Sequence, residues 1–368
     1  MSGDVMIGRG VDQILPHPGD PLLYESYMKS ARGYVELAER AHGPIARPVS
    51  FAYIWGDALE EWERVAPDVK IVNLETSVTT NDEPWPGKGI HYRVNPANIP
   101  SLKAARIDFC ALANNHVLDW GYVGLAETLE TLKQSGIAYA GAGQNLEAAE
   151  APAVIDVAGK GRVIIFSYGV VTSGIPLSWA ASEDRPGVNL LIDLSDEAVQ
   201  RIRENVAAVE QPGDIVVITI HWGSNWGYAI PPEQRAFAHR LIDEAGVDVI
   251  HGHSSHHVKG IEVYKDRLII YGAGDFIDDY EGISGYEQFR SDLVLMYFAG
   301  VDPTTGKLIR LQMTPMQIKH FRLNRATRRD ALWLKEVLDH EGEALGTGVE
   351  IGENNMLTLR WEWRQSPP

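Results

Sequence analysis

Apolar residues recur along this chain in two rhythms, and the switches between them mark its elements. Residues 22–41 (LLYESYMKSARGYVELAERA) carry them at helical spacing, interrupted by Gly33. Residues 58–65 predict a short helix, and the apolar run 69–72 behind it a strand. The same alternation follows with a helix over 99–105, a strand over 109–113 and an amphipathic helix over 121–134. Gly136 stands just past that helix as a C-cap signal. Residues 139–142 read as short and extended, and 154–157 and 162–168 as closely spaced β-rich runs. Residues 195–209 predict a helix with Ser195 as N-cap, and 232–245 a helix opened by prolines. The runs 215–220 and 247–250 are buried strands. Residues 261–263, 268–271, 293–298 and 308–313 read as antiparallel strands with turn residues between them. A charged helix over 326–345 and a last strand over 356–363 complete the chain. Residues 81–98, rich in Pro, Gly, Trp and Asn, predict a long loop, and ordered loops of that length often bind ligands.

Composition narrows the reading. With 368 residues and 45% hydrophobic content, the chain is long enough to bury a large core. The chemistry-bearing segments run from Asp4 to His257, so a domain cut between them would split a site. One catalytic domain over 1–325 is expected, with 326–368 as a helix-and-strand appendage packed on it. The net charge of −17 repels phosphate backbones and speaks against nucleic acid as a partner. The single cysteine, Cys110, lies inside the apolar run DFCALA and is expected to be a buried small hydrophobe. One cysteine leaves no intrachain disulfide. No apolar run reaches the length of a membrane span, and no signal peptide precedes Asp4. A cytoplasmic protein without a transmembrane segment is therefore expected. Oligomeric state is not legible.

Five separated segments end in metal-ligand chemistry: Gly3-Asp4, Asn73-Leu74-Glu75, Asn114-Asn115-His116, His221-Trp222-Gly223, and the stretch from His251 to His257. Each of the last four follows an apolar run. Strands that end together at one edge of a sheet bring their following loops to one place, where α/β folds bind ligands. Carboxylate, amide oxygen and imidazole together suit a divalent ion of intermediate hardness. Asp4 also reads as a strand-end cap, Glu75 as a surface-paired glutamate, Asn114-Asn115 as an Asx-type turn, and His221 as a rim residue. His116 and Asp119 are three apart, so on a helical turn Asp119 faces the imidazole, orients it and raises its pKa.

The segments GDVMIGRGVD, NLETSVT, YRVNP, LANNHVLDWG, HWGSNW, GHSSHHV and IIYGAGDFI, in that order, resemble the calcineurin-like metallophosphoesterases. They are most similar to the CapA-type, poly-γ-glutamate capsule biosynthesis branch. The resemblance spans residues 3–277. It implies a four-layer α/β/β/α sandwich with a site for one or two divalent ions (Mn, Zn, Fe, Mg or Ca) at one edge. By this resemblance Asp4, Glu75, Asn115, His221, His253 and His256 are the metal ligands, and His116 is a general acid. His251 is expected to pair with backbone, and His257 to face substrate. A His two residues after the first Asp is usual in calcineurin-like enzymes, and Met6 stands there instead. One ligand is thereby lost, and a second ion is expected to be held more weakly.

The substrate is expected to be a peptide or small anionic molecule. Arg9 and Arg93 are candidate clamps, because guanidinium grips carboxylate or phosphate in a bidentate fork. Lys88, beside Trp85 and Tyr92 in the long loop, and Trp222 add cationic and aromatic walls. The leading expectation is a metal-dependent enzyme acting on a peptide, γ-glutamyl or related amide, with His116 and Asp119 handling protons. The alternatives are phosphoester hydrolysis, metal-assisted peptide epimerisation with Asp4 and His256 on opposite sides of a Cα, and a non-catalytic capsule-assembly role.

Overall fold

A computed structural model of the chain describes residues 1–361. Residues 362 and 363 of the predicted last strand lie outside the described residues, and Leu357–Trp361 forms its described part.

Two mainly parallel sheets carry the chain. The first has five parallel strands, in the order Asp275–Ile277, Asp4–Val5, Ile71–Leu74, Phe109–Ala111 and Ala138–Ala140. The second has seven. Leu190–Leu191, Gly161–Val170, Ile215–His221, Val249–His253 and Arg267–Ile270 run parallel. Ile261–Tyr264 and Ala153–Val157 pair antiparallel to their neighbours.

Side chains alternate across each strand with a period of two, so each sheet has two differently committed faces. In the first sheet Val72, Leu74 and Cys110 join a core with Trp55 and Trp62, and with Leu125, Leu129 and Leu132 of the helix Gly121–Ser135. Ile71, Phe109 and Ala111 point the other way, into a core with Ile165, Val217, Val249 and Leu268 of the second sheet. On the far side of the second sheet, Val216, Ile218 and Ile250 pack with Val199 and Ile202 of the helix Asp196–Ala207. Phe237 and Leu241 of Pro232–Ala245 share that core. Cys110 is buried, as its apolar neighbours predicted.

A third, antiparallel sheet is built from Leu293–Val301, Leu308–Ile318, Leu323–Arg325, Thr347–Ile351 and Leu357–Trp361. Its Leu295, Tyr297, Met313 and Leu357 enter the core between the two parallel sheets, with Leu334 and Leu338 of the helix Arg328–Glu343. The sheet thus pairs strands from both sides of residue 325.

Helix boundaries mostly follow the periodicity. Ser195 caps its helix by accepting from the Ala198 N–H, and Gly136 takes the left-handed conformation (φ 69°) past Gly121–Ser135. The exception is the region 22–41, of which only Arg32–His42 is helical. Tyr34, Val35 and Ala38 give that part a buried stripe, whereas Leu22, Tyr24 and Tyr27 are exposed. Buried Glu25, tied to Arg9 and Tyr34, draws the preceding segment out of helical register. The 81–98 loop holds one short strand, Arg93–Val94, paired with Ser77–Val78.

The N-terminal strand is two residues long but clamped on both sides. Asp4 lies in register with Asn73 on one flank and Asp275 on the other. The backbones approach closely here: a Cβ on Gly3 would sit 1.7 Å from the Gly274 carbonyl oxygen. Overpacking usually costs about 1–3 kcal/mol, and a backbone obstacle yields least, so Gly3→Ala should destabilise by about 3 kcal/mol or more. Denaturant melting checks this; an unchanged midpoint would mean that the two backbones are not in contact.

Candidate metal centre and pocket

The strand registers gather donors from distant parts of the chain. Asp4, in the first sheet, and His221 and His253, paired at the ends of neighbouring strands of the second, bring ligand atoms within 4.8 Å of one another. Asp4 does the same with His256 and Asp275. Two buried three-donor clusters therefore share one carboxylate. Asp275 was not anticipated as a ligand. Its signal was a second Gly-Asp-apolar-apolar run, Gly274 to Ile277, echoing Gly3 to Met6. Met6 is buried and offers no ligand, and Asp275 supplies the carboxylate beside Asp4.

The hydrogen bonds orient these donors and leave their free atoms unsatisfied. The Asn114 amide donates to the Asn73 oxygen (3.0 Å), and the Asn73 amide donates to Asp4 Oδ1 (2.8 Å). The Asn225 amide donates to His256 Nε2 (2.9 Å), so Nδ1–H donates to Asp275 Oδ1 (2.9 Å). His221 Nε2 lies 3.1 Å from the Asn115 oxygen, and His221 Nδ1 faces His253 Nδ1 at 2.8 Å. Asp4 Oδ2, Glu75 Oε2, Asp275 Oδ2 and His253 Nε2 are buried without a hydrogen-bond partner. Buried polar atoms are rarely left so, because each costs its lost hydration. Carboxylates and imidazoles orphaned together fit a divalent cation of mixed N/O preference. Neither ring nitrogen of His251 reaches full hydrogen-bond geometry, but the ring interacts with the Ser2 backbone, the type of partner expected of it. Its ring lies against His253 (centroids 5.5 Å).

The electrostatics agree. Burial pushes Asp4 up to about 6, with the Asp275 carboxylate adding to the rise. Burial and then Asp4 drive Glu75 well above the carboxylate range. Burial, then neighbouring imidazoles, holds His221 and His253 far below their usual range, in the neutral form that binds metal. His256 is opposed by burial, but the Asp275 carboxylate prevails and raises it.

His116 stands at the rim of these clusters. Its Nδ1 bonds Asp119 Oδ2 (2.6 Å), which also accepts the Tyr92 N–H (2.6 Å). Lys88 Nζ pairs with Asp119 Oδ1 and lies 3.0 Å from His116 Nδ1. The opposite nitrogen, Nε2, is 3.8 Å from Glu75 Oε1. Asp119 thus orients the ring as the spacing predicted, but it does not raise its pKa. Burial, and then the Lys88 charge, pull His116 well below its normal value.

A cavity of about 740 Å³ opens on this rim, lined by His116, Asn115, His256, Lys88, Tyr92 and Trp226 among others. Several expected substrate contacts are committed elsewhere. Arg9 lines the cavity, but its guanidinium is buried and spent on Glu25 (2.8 Å) and Asp279. Arg93 lies outside it, donating to the backbone carbonyls of Asn81 (2.6 Å) and Asp20 (3.1 Å) and stacking on Trp120. Trp222 is buried, bonded to the Tyr271 carbonyl (2.9 Å). His257 uses both ring nitrogens on backbone, at Val258 and Gly227, and does not face the cavity. Apart from the contact between adjacent His257 and Val258, these pairings join residues distant in the chain and leave no trace in local sequence.

Among the described residues no helix is long and apolar enough to cross a membrane. The chain is 49% identical to the probable polyglutamine synthesis accessory protein of Mycobacterium tuberculosis over 360 residues, 98% of this chain and 94% of that protein. It is 27% identical over 342 residues to the PGA biosynthesis protein CapA of Bacillus subtilis, and 24% over 352 residues to the capsule biosynthesis protein CapA of Bacillus anthracis. Each alignment covers 91% of this chain and 75% of the relative. The family described as bacterial capsule synthesis protein PGA_cap matches residues 1–280, so the chain belongs to the PGA_cap family, the CapA-type proteins that its motifs resemble.

Proposed function

We propose that this protein is a metal-dependent enzyme of polyglutamate or capsule synthesis, acting at an amide carbonyl of a peptide, γ-glutamyl or related chain. The observation that carries the reading is the set of orphaned buried donors next to an imidazole fixed at one nitrogen, at the rim of one cavity. Three cores on alternating sheet faces support the four-layer α/β/β/α sandwich for the fold. Asp4, His221 and His253 would hold one divalent ion, and Asp4, His256 and Asp275 a second, with Glu75 adjacent. The mixed nitrogen and oxygen donors favour Zn, Mn or Fe over Mg or Ca. A bound ion supplies Lewis acidity at a carbonyl oxygen or a water.

The chain's own residues handle the protons. With Nδ1–H held by Asp119, neutral His116 presents Nε2 as a base. It takes a proton from the attacking water as the C–O bond forms. It returns that proton to the nitrogen as the C–N bond breaks, releasing an amine and a carboxylate.

Three other readings have observations behind them. Two clusters sharing Asp4 favour phosphoester hydrolysis, although Arg9 and Lys88, at the cavity, are already paired with carboxylates. His116 and His256 line the same cavity, which favours proton exchange at a Cα. The accessory role in the relatives' names fits a non-catalytic protein. One screen separates all four. The protein, loaded in turn with each divalent ion, is incubated in D₂O with peptides, γ-glutamyl oligomers and phosphoesters. Amine release is the expected outcome; phosphate release, deuterium uptake without cleavage, or no turnover would each select one of the others.

A further inference from the structure

A pair of tyrosines joins the two imidazoles of the cavity. Tyr92 and Tyr280 both line it, and their hydroxyl oxygens are 2.7 Å apart. Tyr92 stacks on His116 (centroids 3.8 Å, 20°). Its backbone N–H donates to Asp119 Oδ2, the same oxygen that fixes the imidazole, so ring and imidazole share one anchor. Tyr280 meets His256 edge-on (5.2 Å, 87°), and its N–H donates to Asp278 Oδ1 (2.8 Å).

Arg9 braces the pair. Its guanidinium lies over the ring faces of Tyr34 (3.9 Å), Tyr92 (4.7 Å) and Tyr280 (5.7 Å), and Glu25 and Asp279 hold it there. Its backbone is left-handed (φ 42°), which is uncommon for a residue with a side chain and concentrates at working sites. Each tyrosine hydroxyl carries one hydrogen. The contact between the two oxygens uses one of these hydrogens, whichever group donates. Among the described residues neither oxygen has a further hydrogen-bond partner. One donor is thus left over in a fixed place at the cavity, although buried polar groups are seldom left without a partner.

We propose that the spare hydroxyl hydrogen of the Tyr92–Tyr280 pair donates to the oxygen of the reacting amide, and most strongly as that oxygen gains charge. This rests on the amide reading above and supplies the donor for its oxyanion. A donor fixed in advance acts on developing charge without having to reorganise. The hydrogen stays on the tyrosine throughout, and proton transfer remains with His116. Arg9 is then a positioning residue, which acts through the two rings that it braces.

A Tyr92→Phe, Tyr280→Phe double variant keeps both rings and removes only the hydroxyls. Calorimetry on the full chain loaded with Zn²⁺ compares it with the wild type. One probe is a γ-glutamyl phosphonamidate, which is tetrahedral and anionic at the reacting centre. The other is its methyleneamine counterpart, which has no oxygen there. The double variant should bind the phosphonamidate about 10–100-fold more weakly than the wild type, the span of a hydrogen bond to a charged group. It should bind the methyleneamine as the wild type does. Each single variant keeps one hydroxyl and should lose at least about threefold for the phosphonamidate, so the singles carry the test if the double variant does not fold. A smaller loss, equal losses for the two probes, or no phosphonamidate binding by the wild type would overturn the proposal. The expected loss in a protein that releases no amine would uphold this inference and defeat the amide reading. Undiminished phosphonamidate binding by the variant of a protein that does release amine would do the reverse.

Discussion

A His221→Ala, His253→Ala double variant should purify with clearly less divalent metal than the wild type, having lost the first of the two clusters. Both imidazoles end paired strands of one sheet, and both are held neutral by burial. Loss of groups that merely support ligands costs about 10–100-fold in metal affinity, so loss of two direct donors should cost more. Asp4, His256 and Asp275 would remain as the second cluster, so the loss falls on the ion that His221 and His253 would hold. Elemental analysis of both proteins decides the matter, and equal metal content would remove the centre from these residues. A proton balance follows from the same cluster. Without a cation burial holds Asp4 up at about 6 and drives Glu75 well above its usual range, so near pH 6 Asp4 is partly protonated and an ion must displace that proton. Binding should therefore release protons at pH 6 and weaken as pH falls, which calorimetry in buffers of different ionisation enthalpy would register.

His116→Ala should lower kcat by about 10²–10⁴-fold, the span that a positioned acid-base group supplies, and leave metal content unchanged. The separation of these effects rests on geometry. His116 is not in either three-donor cluster, and its Nδ1 is committed to Asp119. Asp119→Asn should fall between the variant and the wild type, because an amide can still touch the ring but holds its tautomer less firmly. If His116→Ala loses metal along with activity, the ring is a ligand and its proton role is wrongly assigned.

Parts of this site were legible because they are local. Apolar runs followed by Glu75, Asn115, His221 and His253 mark strand ends, and parallel strands deliver such ends to one edge. The three-residue spacing of His116 and Asp119 likewise carried its own geometry. Asp275 was missed because a three-residue strand gives little periodicity, although its Gly-Asp pair repeats that of Gly3-Asp4. Arg9 and Arg93 looked available because their partners lie far off in the chain: Asp279 for Arg9, and the Asp20 carbonyl for Arg93. The early half of the 22–41 region had helical spacing but not the burial that makes a helix worth forming. Apart from Leu23, which packs with Ala31 and Tyr34, its side chains mostly face solvent or, like Glu25, serve an arginine.

The two-residue strand holding Asp4 sets the timing of assembly. One of its flanks, Ile71–Leu74, leaves the ribosome first; the other, Asp275–Ile277, emerges about 200 residues later. Until then Asp4 has half its backbone clamp and none of the carboxylate that shares its second cluster. Pairing ends so distant in the chain is entropically slow, so the centre is among the last features to mature. Metal capture at the proposed centre would accordingly be a late event for the nascent protein, because an ion present earlier would meet an incomplete set of donors.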